Sequence, residues 1–467
     1  VNILQACDDP NLFRPWFKNA DTWRAWRAFL CALFGLPFED GPAEELFEEC
    51  TGRLATGPTE AAEEAWLIVG RRGGKSFIMA LLAVFLACFK DYRPYLAPGE
   101  RAMVLLIAAD RRQARVLMRY IRGFLTNVKM LKRMVQRESA EGVDLNNSVS
   151  IEIATASFRA VRGYTCCAIL ADEIAFWHSE ESSSNPDSEI LAALAPSTAT
   201  IPNAVLICAS SPYAKRGVMW DALRKHYGKP TGPLVWKAPT RVMHPTVRQS
   251  LVDAAMERDP AAARSEWLAE FRDDIAAFVS REIVESCVDP NEIERPYNPA
   301  LRYTAFVDPS GGSSDSFTLA IAHKAKDSIV VDIVREVPAP FDPEVVVDEF
   351  CRLLKSYRVA SVTGDRYAGE WPREQFRKRQ ITYKPSEMPK SALYVDLLPR
   401  LNSRTIRLPD NTRLVNQIAG LERRTARGGK DSIDHPPSGK DDVANAVAGV
   451  AAHALNRTVS GIDELRI

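Results

Sequence analysis

Seven residues constrain this chain more than any others: Gly70-Arg71-Arg72-Gly73-Gly74-Lys75-Ser76. The apolar run Trp66-Leu67-Ile68-Val69 precedes them, and a second apolar run, residues 77–89, follows. Strand, glycine-rich turn and helix in that order form a cradle for nucleotide phosphates. Backbone N–H groups and a helix N-terminus hold the phosphate oxygens, Lys75 neutralises the β/γ charge, and Ser76 supplies a hydroxyl for Mg²⁺. The loop departs from the standard pattern in two ways. Val69 stands where the first glycine is expected, with Gly70 beside it, and two arginines lie inside the loop. The bland alternative is a glycine turn ahead of a buried helix.

A chain of 467 residues predicts two or three domains. Lys plus Arg and Asp plus Glu both number 60, so net charge names no polyanionic partner. Local charge says more, because residues 365–430 hold 15 Lys/Arg against 7 Asp/Glu. Such an excess can hold a phosphate backbone or simply be solvated. The nine cysteines form no C-x-x-C pair, which fits a reducing compartment, and six dispersed histidines argue against a zinc site. At 13 residues the 77–89 run is too short to span a bilayer, and no membrane association is expected.

Aromatic and apolar residues recur at helical spacing over 12–36, and 37–65 reads as helix and loop. Continuous apolar runs predict buried parallel strands at 103–108, 149–154, 166–171 and 204–209, with a helix from Asp110 to about Phe124. Strands alternating with helices give an α/β parallel sheet. Residues 214–275 read as helical and polar, and the proline-rich stretch 286–300 as a linker. A second α/β region follows, with strands predicted at 303–307, 317–323, 328–334 and 360–364 and helices at 343–357 and 442–455.

The strand Cys166-Cys167-Ala168-Ile169-Leu170-Ala171 runs into Asp172-Glu173. ATP hydrolysis needs one carboxylate for Mg²⁺ and another to activate water, and Asp172 and Glu173 suit those roles in that order. Taken alone the pair could be a helix cap; after a phosphate loop it reads as catalytic. Another strand ends in Ser210-Ser211, where hydroxyls can sense the γ-phosphate. Arg71, Arg72, Arg159 and Arg162 are candidate stabilisers of charge on the transferred phosphoryl group.

A second set of acids lies further along. Asp308 and Asp365 each end a predicted strand, and Asp441 and Asp442 begin the terminal helix in Gly439-Lys440-Asp441-Asp442-Val443-Ala444-Asn445-Ala446. Acids from two strands and a helix can converge on two divalent metals for phosphodiester hydrolysis. Oxygen ligands favour Mg²⁺ or Mn²⁺ over zinc. Each acid alone could instead cap a turn or a helix. Asp315 is a further candidate after a glycine-serine stretch. Neighbours on a helix stand about 100° apart, so the pattern leaves open which of Asp441 and Asp442 meets metal.

An arginine-bearing phosphate loop and Asp-Glu strand followed by three strand- or helix-end acids resemble the large terminase subunit of tailed double-stranded DNA bacteriophages. Ala209-Ser210-Ser211 and the stretch Leu393-Tyr394 to Leu408-Pro409 add to the resemblance, which covers roughly residues 20–457. It implies a RecA/ASCE-like P-loop ATPase domain over 1–275, with 214–275 as a helical lid or linker subdomain. A linker at 276–300 and an RNase H-like α/β nuclease domain over 301–467 complete the implied order.

By position, the resemblance implies that Gly70, Arg71, Arg72, Gly73, Gly74, Lys75 and Ser76 bind ATP. Ser76 and Asp172 serve Mg²⁺, Glu173 is the catalytic base, and Arg71, Arg72 or Arg162 is an arginine finger. Ser210 and Ser211 match the coupling motif. Asp308, Asp365 and Asp442, with Asp441 beside it, match ligands for Mg²⁺ or Mn²⁺ in the nuclease. An adenine-contacting segment falls on Trp23-Arg24-Ala25-Trp26-Arg27, where packing aromatics are the competing reading.

The implied partners are double-stranded DNA, a portal protein, a small terminase subunit and further copies in a ring, often a pentamer, with a monomer possible in solution. The implied place is the host bacterial cytoplasm during virion assembly, outside the mature virion. The tail, residues 459–467, is either a partner contact or a disordered end. Two rivals stand beside this reading. A superfamily 2-type helicase or translocase would need a second RecA-like half, and a non-enzymatic nucleotide-dependent scaffold would need neither Glu173 nor the later acids.

Overall fold

The computed structural model describes residues 1–54, 60–156, 164–177, 186–365, 370–425, 431–436 and 439–455. These form two units, one running to Asp273 and the other starting at Asp274.

The first unit is built on one eight-stranded sheet. In chain order its strands are β1 (Glu64–Val69), β2 (Ala102–Ala108), β3 (Val135–Glu138), β4 (Gly142–Leu145), β5 (Val149–Thr155), β6 (Cys166–Asp172), β7 (Val205–Ser210) and β8 (Leu234–Ala238). Their order across the sheet is β3-β4-β5-β2-β6-β7-β1-β8. The six strands from β5 to β8 run parallel, and β3 and β4 pair antiparallel at one edge. Strands β2 and β6 are buried along their whole length, because helices cover both faces and the runs carry no polar alternation.

The helix Lys75–Phe89 leaves the loop after β1, and its apolar residues lie between the sheet and the N-terminal helices. Full burial of each Leu, Ile or Phe there is worth about 1.5–3 kcal/mol. A second core, including Trp66, Ile107, Ile169 and Trp177, fills the opposite face. Strand β7 lies between β1 and β6, so its C-terminal end falls between the phosphate loop and Asp172. Residues 214–275 depart from the expected helical lid. Helices are present (Gly217–His226, Gln249–Arg258, Pro260–Leu268), but Leu234–Ala238 pairs with β1 as an edge strand of the main sheet.

In the second unit the strands are β9 (Ile275–Ala277), β10 (Tyr303–Asp308), β11 (Phe317–Ala325), β12 (Ser328–Val337), β13 (Ser361–Gly364), β14 (Thr382–Pro385), β15 (Ile406–Arg407), β16 (Glu422–Thr425) and β17 (Asp431–Asp434). The main sheet has the order β14-β13-β10-β11-β12-β15. Strands β10, β11 and β12 form an antiparallel meander, and β13 and β14 add in parallel beside β10. That is the RNase H-like arrangement, and it differs from a second nucleotide-binding half, whose strands would run parallel as in the first unit. The helix Asp442–Leu455 packs on β10, β11 and β12. The helix Pro343–Ser356 supplies Val347 and Phe350 to the core on the other face.

The expected linker at 276–300 is instead part of this unit. Phe278, Val279, Val284 and Cys287 are buried in its core, β9 pairs with β16, and Arg295 Nη1 donates to Val331 O at 2.8 Å. The prolines of the stretch gave it a linker's composition, but its apolar residues have a sheet and helices to cover.

Candidate active sites in the two units

The phosphate loop explains its own departures. Val69 ends β1 opposite Ala238 and is fully buried, and its side chain fills the space a Cβ on Gly73 would need, 2.5 Å from Val69 Cγ1. The close approach falls one residue later, where a Cβ on Gly70 would sit 2.3 Å from Thr240 Oγ1. Gly74 caps the following helix at φ +99°, a conformation that favours glycine. Trp26, buried in the helix Ala20–Phe34, donates its indole N–H to Gly73 O at 2.9 Å.

The other members of the adenine candidate segment are engaged in packing and ion pairs. Trp23 packs at a tilt against Phe17 and Phe77, Arg24 pairs with Asp21, and Arg27 pairs with Asp8 and Glu39. The segment supports the loop from beneath.

Lys75 is 5% exposed. Its ammonium donates to Val69 O and Ser211 Oγ, each at 2.9 Å, and lies 3.7 Å from Glu173 Oε1. Glu173 takes the left-handed conformation, φ +52°, at the end of β6, and its Oε2 accepts from Ser210 Oγ at 3.1 Å. Ser76 Oγ donates to Asp172 Oδ2 at 3.0 Å. Asp172 is completely buried, and burial, then the charge of Glu173, pushes its carboxyl above the usual range, while Gln113, Lys75 and Ser76 pull it back. Its Oδ1 has no hydrogen-bond partner among the described residues. A buried acid oxygen left unpaired, beside a hydroxyl, fits an Mg²⁺ held through Ser76 and Asp172.

The arginines separate. Arg71 pairs with Glu266 at 2.9 Å. Arg72 is exposed at φ 65°, and among the described residues it has no carboxylate partner. Arg159 and Arg162 lie outside the described residues. Sequence reasoning missed Gln113, whose Nε2 donates to Ser76 Oγ at 3.1 Å and to Asp172 Oδ2 at 2.8 Å. Its only signal was a polar residue in the first turn of the helix that follows β2.

In the second unit, β10 and β13 pair Val307 with Gly364, so Asp308 and Asp365 leave adjacent strand ends together. Asp442 opens the terminal helix, and its Oδ2 accepts from Ser316 N at 3.2 Å. Burial pushes the Asp308 carboxyl up to about 8, with the charges of Asp365, Asp442 and Asp441 adding to it. Asn445, one turn along the terminal helix, holds it back by donating Nδ2 to Asp308 Oδ2 at 2.8 Å. The Asp442 carboxyl is also raised, chiefly by burial. Two raised acids with further carboxylates beside them, and a buried Asn445 Oδ1 with no partner among the described residues, describe a site short of positive charge. Its oxygen donors fit Mg²⁺ or Mn²⁺.

Asp441 points elsewhere. Its Oδ2 accepts from Tyr394 at 2.8 Å and from Lys390 at 3.0 Å, and Lys390 also bonds Asp434 at 2.8 Å. Asp434, His435 and Asp441 bring ligand atoms within 4.8 Å of one another, with Lys390 already among them. Of the two neighbouring acids, Asp442 is therefore the one without a lysine partner at the strand ends among the described residues; the cation that acts on it, Lys440, bonds Ser314 O. Asp315 is exposed and 4.0 Å from Lys440.

The basic excess in 365–430 is largely neutralised where it is described: Arg373, Lys378, Arg379, Arg400, Arg407 and Arg413 each pair with an acid. No helix among the described residues is long and apolar enough to cross a membrane.

No protein-family model and no curated protein matches the chain. Solved structures do. The HK97 bacteriophage large terminase is 15% identical over 92% of this chain and 100% of its own, with a TM-score of 0.39. A large terminase from a thermophilic bacteriophage is 12% identical over 86% of this chain and 96% of its own, with a TM-score of 0.35. The large terminase nuclease of a second thermophilic phage, G20c, is 16% identical over 37% of this chain and 95% of its own, with a TM-score of 0.32. The chain is similar, along most of its length, to the large terminases of bacteriophages.

Proposed function

We propose that this chain is a viral DNA-packaging motor, an ATPase and a metal-dependent endodeoxyribonuclease in one polypeptide. The observation that supports it most is shared by the two units: in each, strand ends gather buried carboxylates that lack enough positive charge, Asp172 beside a phosphate loop and Asp308 beside Asp365 and Asp442.

In the first unit, ATP phosphates entering the loop take over the ammonium of Lys75 from Val69 O and Ser211 Oγ. Glu173, freed from Lys75, orients and deprotonates the attacking water. Ser76 and Asp172 would hold the Mg²⁺, whose charge would offset that of the phosphates. Ser210 and Ser211 link the γ-phosphate position to β7, a route by which loss of phosphate moves the middle of the sheet. Arg72, unlike the paired Arg71, is free to reach the transferred phosphoryl group.

In the second unit Asp308, Asp365 and Asp442 would hold two divalent metals, which activate water and stabilise the leaving oxygen of the DNA backbone. Asn445 orients Asp308. Lys390 and Tyr394 fix Asp441 at the flank.

In this reading double-stranded DNA is what the ATPase moves and what the nuclease cuts. The motor acts as a ring of copies, a pentamer, on a portal protein, and a small terminase subunit delivers the DNA; the free chain is a monomer. It works in the host bacterial cytoplasm and leaves before the virion matures. The test is packaging itself: purified chain, procapsids and ATP should render linear DNA resistant to added nuclease, and Lys75→Ala should abolish that protection. ATP hydrolysis that stays unchanged with DNA, and no protected DNA, would contradict the reading.

A further inference from the structure

Gln113 reaches the nucleotide site from an element outside the loop and the acid strand. Asp110 caps the helix Arg111–Asn127, its carboxylate accepting from Arg112 N at 2.7 Å and Gln113 N at 2.8 Å. That cap fixes the first helical turn just beyond β2, the strand next to β6. From there Gln113 Nε2 donates to Asp172 Oδ2 at 2.8 Å and to Ser76 Oγ at 3.1 Å, while Ser76 Oγ donates to the same Oδ2 at 3.0 Å. An ionised carboxylate only accepts, so the carboxamide presents its NH₂ side. Both donors fall on Oδ2, and the buried Oδ1 has none among the described residues.

We propose that Gln113 is a positioning residue for the Mg²⁺ of the ATPase. By holding Asp172 Oδ2 and Ser76 Oγ together, it fixes the two residues that would hold the metal before nucleotide arrives, and leaves Oδ1 without a hydrogen bond among the described residues. The role rests on the reading of the first unit as an Mg²⁺-dependent ATPase. It makes the helix after β2 a part of the metal site, although that helix contributes no ligand.

The test is calorimetric titration of the full chain with ADP, in EDTA and in Mg²⁺. The variants are Gln113→Ala and Gln113→Met, the second keeping length and apolar contacts without the N–H donors. Wild type should bind ADP more tightly in Mg²⁺. Both variants should bind ADP in EDTA as wild type does, which shows an intact loop, while their gain from Mg²⁺ falls about tenfold, the scale of losing an outer partner of a metal ligand. In ATPase assays the Mg²⁺ concentration for half-maximal rate should rise by a similar factor. An undiminished Mg²⁺ gain in Gln113→Met would overturn the positioning role while leaving the ATPase reading intact. No Mg²⁺ gain in wild type would overturn that reading, and the role with it.

Discussion

The ammonium of Lys75 donates to Ser211 Oγ at 2.9 Å, which ties the phosphate loop to the end of β7. The same ammonium lies 3.7 Å from Glu173, so one charge faces the loop, the end of β7 and the carboxylate proposed as the base. Lys75→Ala should lower ATPase turnover about 100-fold or more, the scale of losing a principal charge stabiliser. Ser211→Ala should keep nucleotide affinity and slow turnover on the order of tenfold. Steady-state hydrolysis with and without DNA separates the two, and a Ser211→Ala variant that keeps full DNA stimulation counts against coupling through β7.

The bond from Trp26 to Gly73 O gives the N-terminal helices a role in shaping the loop. Trp26→Phe keeps most of the packing and removes the donor. Leaving that carbonyl unpaired should cost about 1–3 kcal/mol, visible in denaturant unfolding, and should weaken ADP binding. Unchanged stability and affinity would show that the loop holds its shape without Trp26.

Asp308 makes a prediction about pH. Its carboxyl is held at about 8 in the folded chain against an ordinary 3.8. The folded state therefore favours the neutral acid. The stability this gives is complete below about pH 4, and it is lost as pH rises through about 8. Stripping divalent metal should thus destabilise the second unit more at pH 8 than at pH 5. Asp308→Asn should raise the metal-free Tm at pH 8 by on the order of 3 °C, and it should lose the stabilisation that Mn²⁺ gives wild type. Thermal melts in EDTA and in Mn²⁺ at both pH values check each part.

Asp441 and Asp442 should divide when mutated. Asp442→Ala should abolish Mn²⁺ binding at the strand ends, whereas Asp441→Asn should retain it because its carboxylate is committed to Lys390 and Tyr394. Lys390→Met should cost about 2 kcal/mol by leaving the buried Asp441 short of a cation, less than for a fully enclosed pair because Lys390 is partly solvated. A Mn²⁺-soaked crystal with metal on Asp441 and none on Asp442 would reverse the assignment.

Much of this was legible in the sequence because the informative residues are local. Strands β2 and β6 are unbroken apolar runs, and acids that end such runs are conspicuous. Asp308, Asp365 and Asp442 were found that way, from strand ends and a helix start. What was hidden depends on contacts across long stretches of chain. Gln113 meets Asp172 from 59 residues away and Lys390 meets Asp441 from 51, and neither separation leaves a local pattern. Strand β8 is five residues of mixed character, Leu-Val-Trp-Lys-Ala, and β3 is largely polar, so periodicity found neither. The stretch 276–300 misled because its three prolines read as linker punctuation while Phe278, Val284 and Cys287 are what place it.

Two separate engines on one chain is the central claim, and a crossed assay tests it most directly. Wild type, Glu173→Ala and Asp308→Ala, each shown to be folded by its melting curve, would be measured for ATP hydrolysis with DNA and for Mn²⁺-dependent cutting of a circular duplex. The account predicts that Glu173→Ala loses hydrolysis and still cuts, and that Asp308→Ala loses cutting and still hydrolyses ATP. Loss of both activities in both folded variants, or of neither, would contradict it.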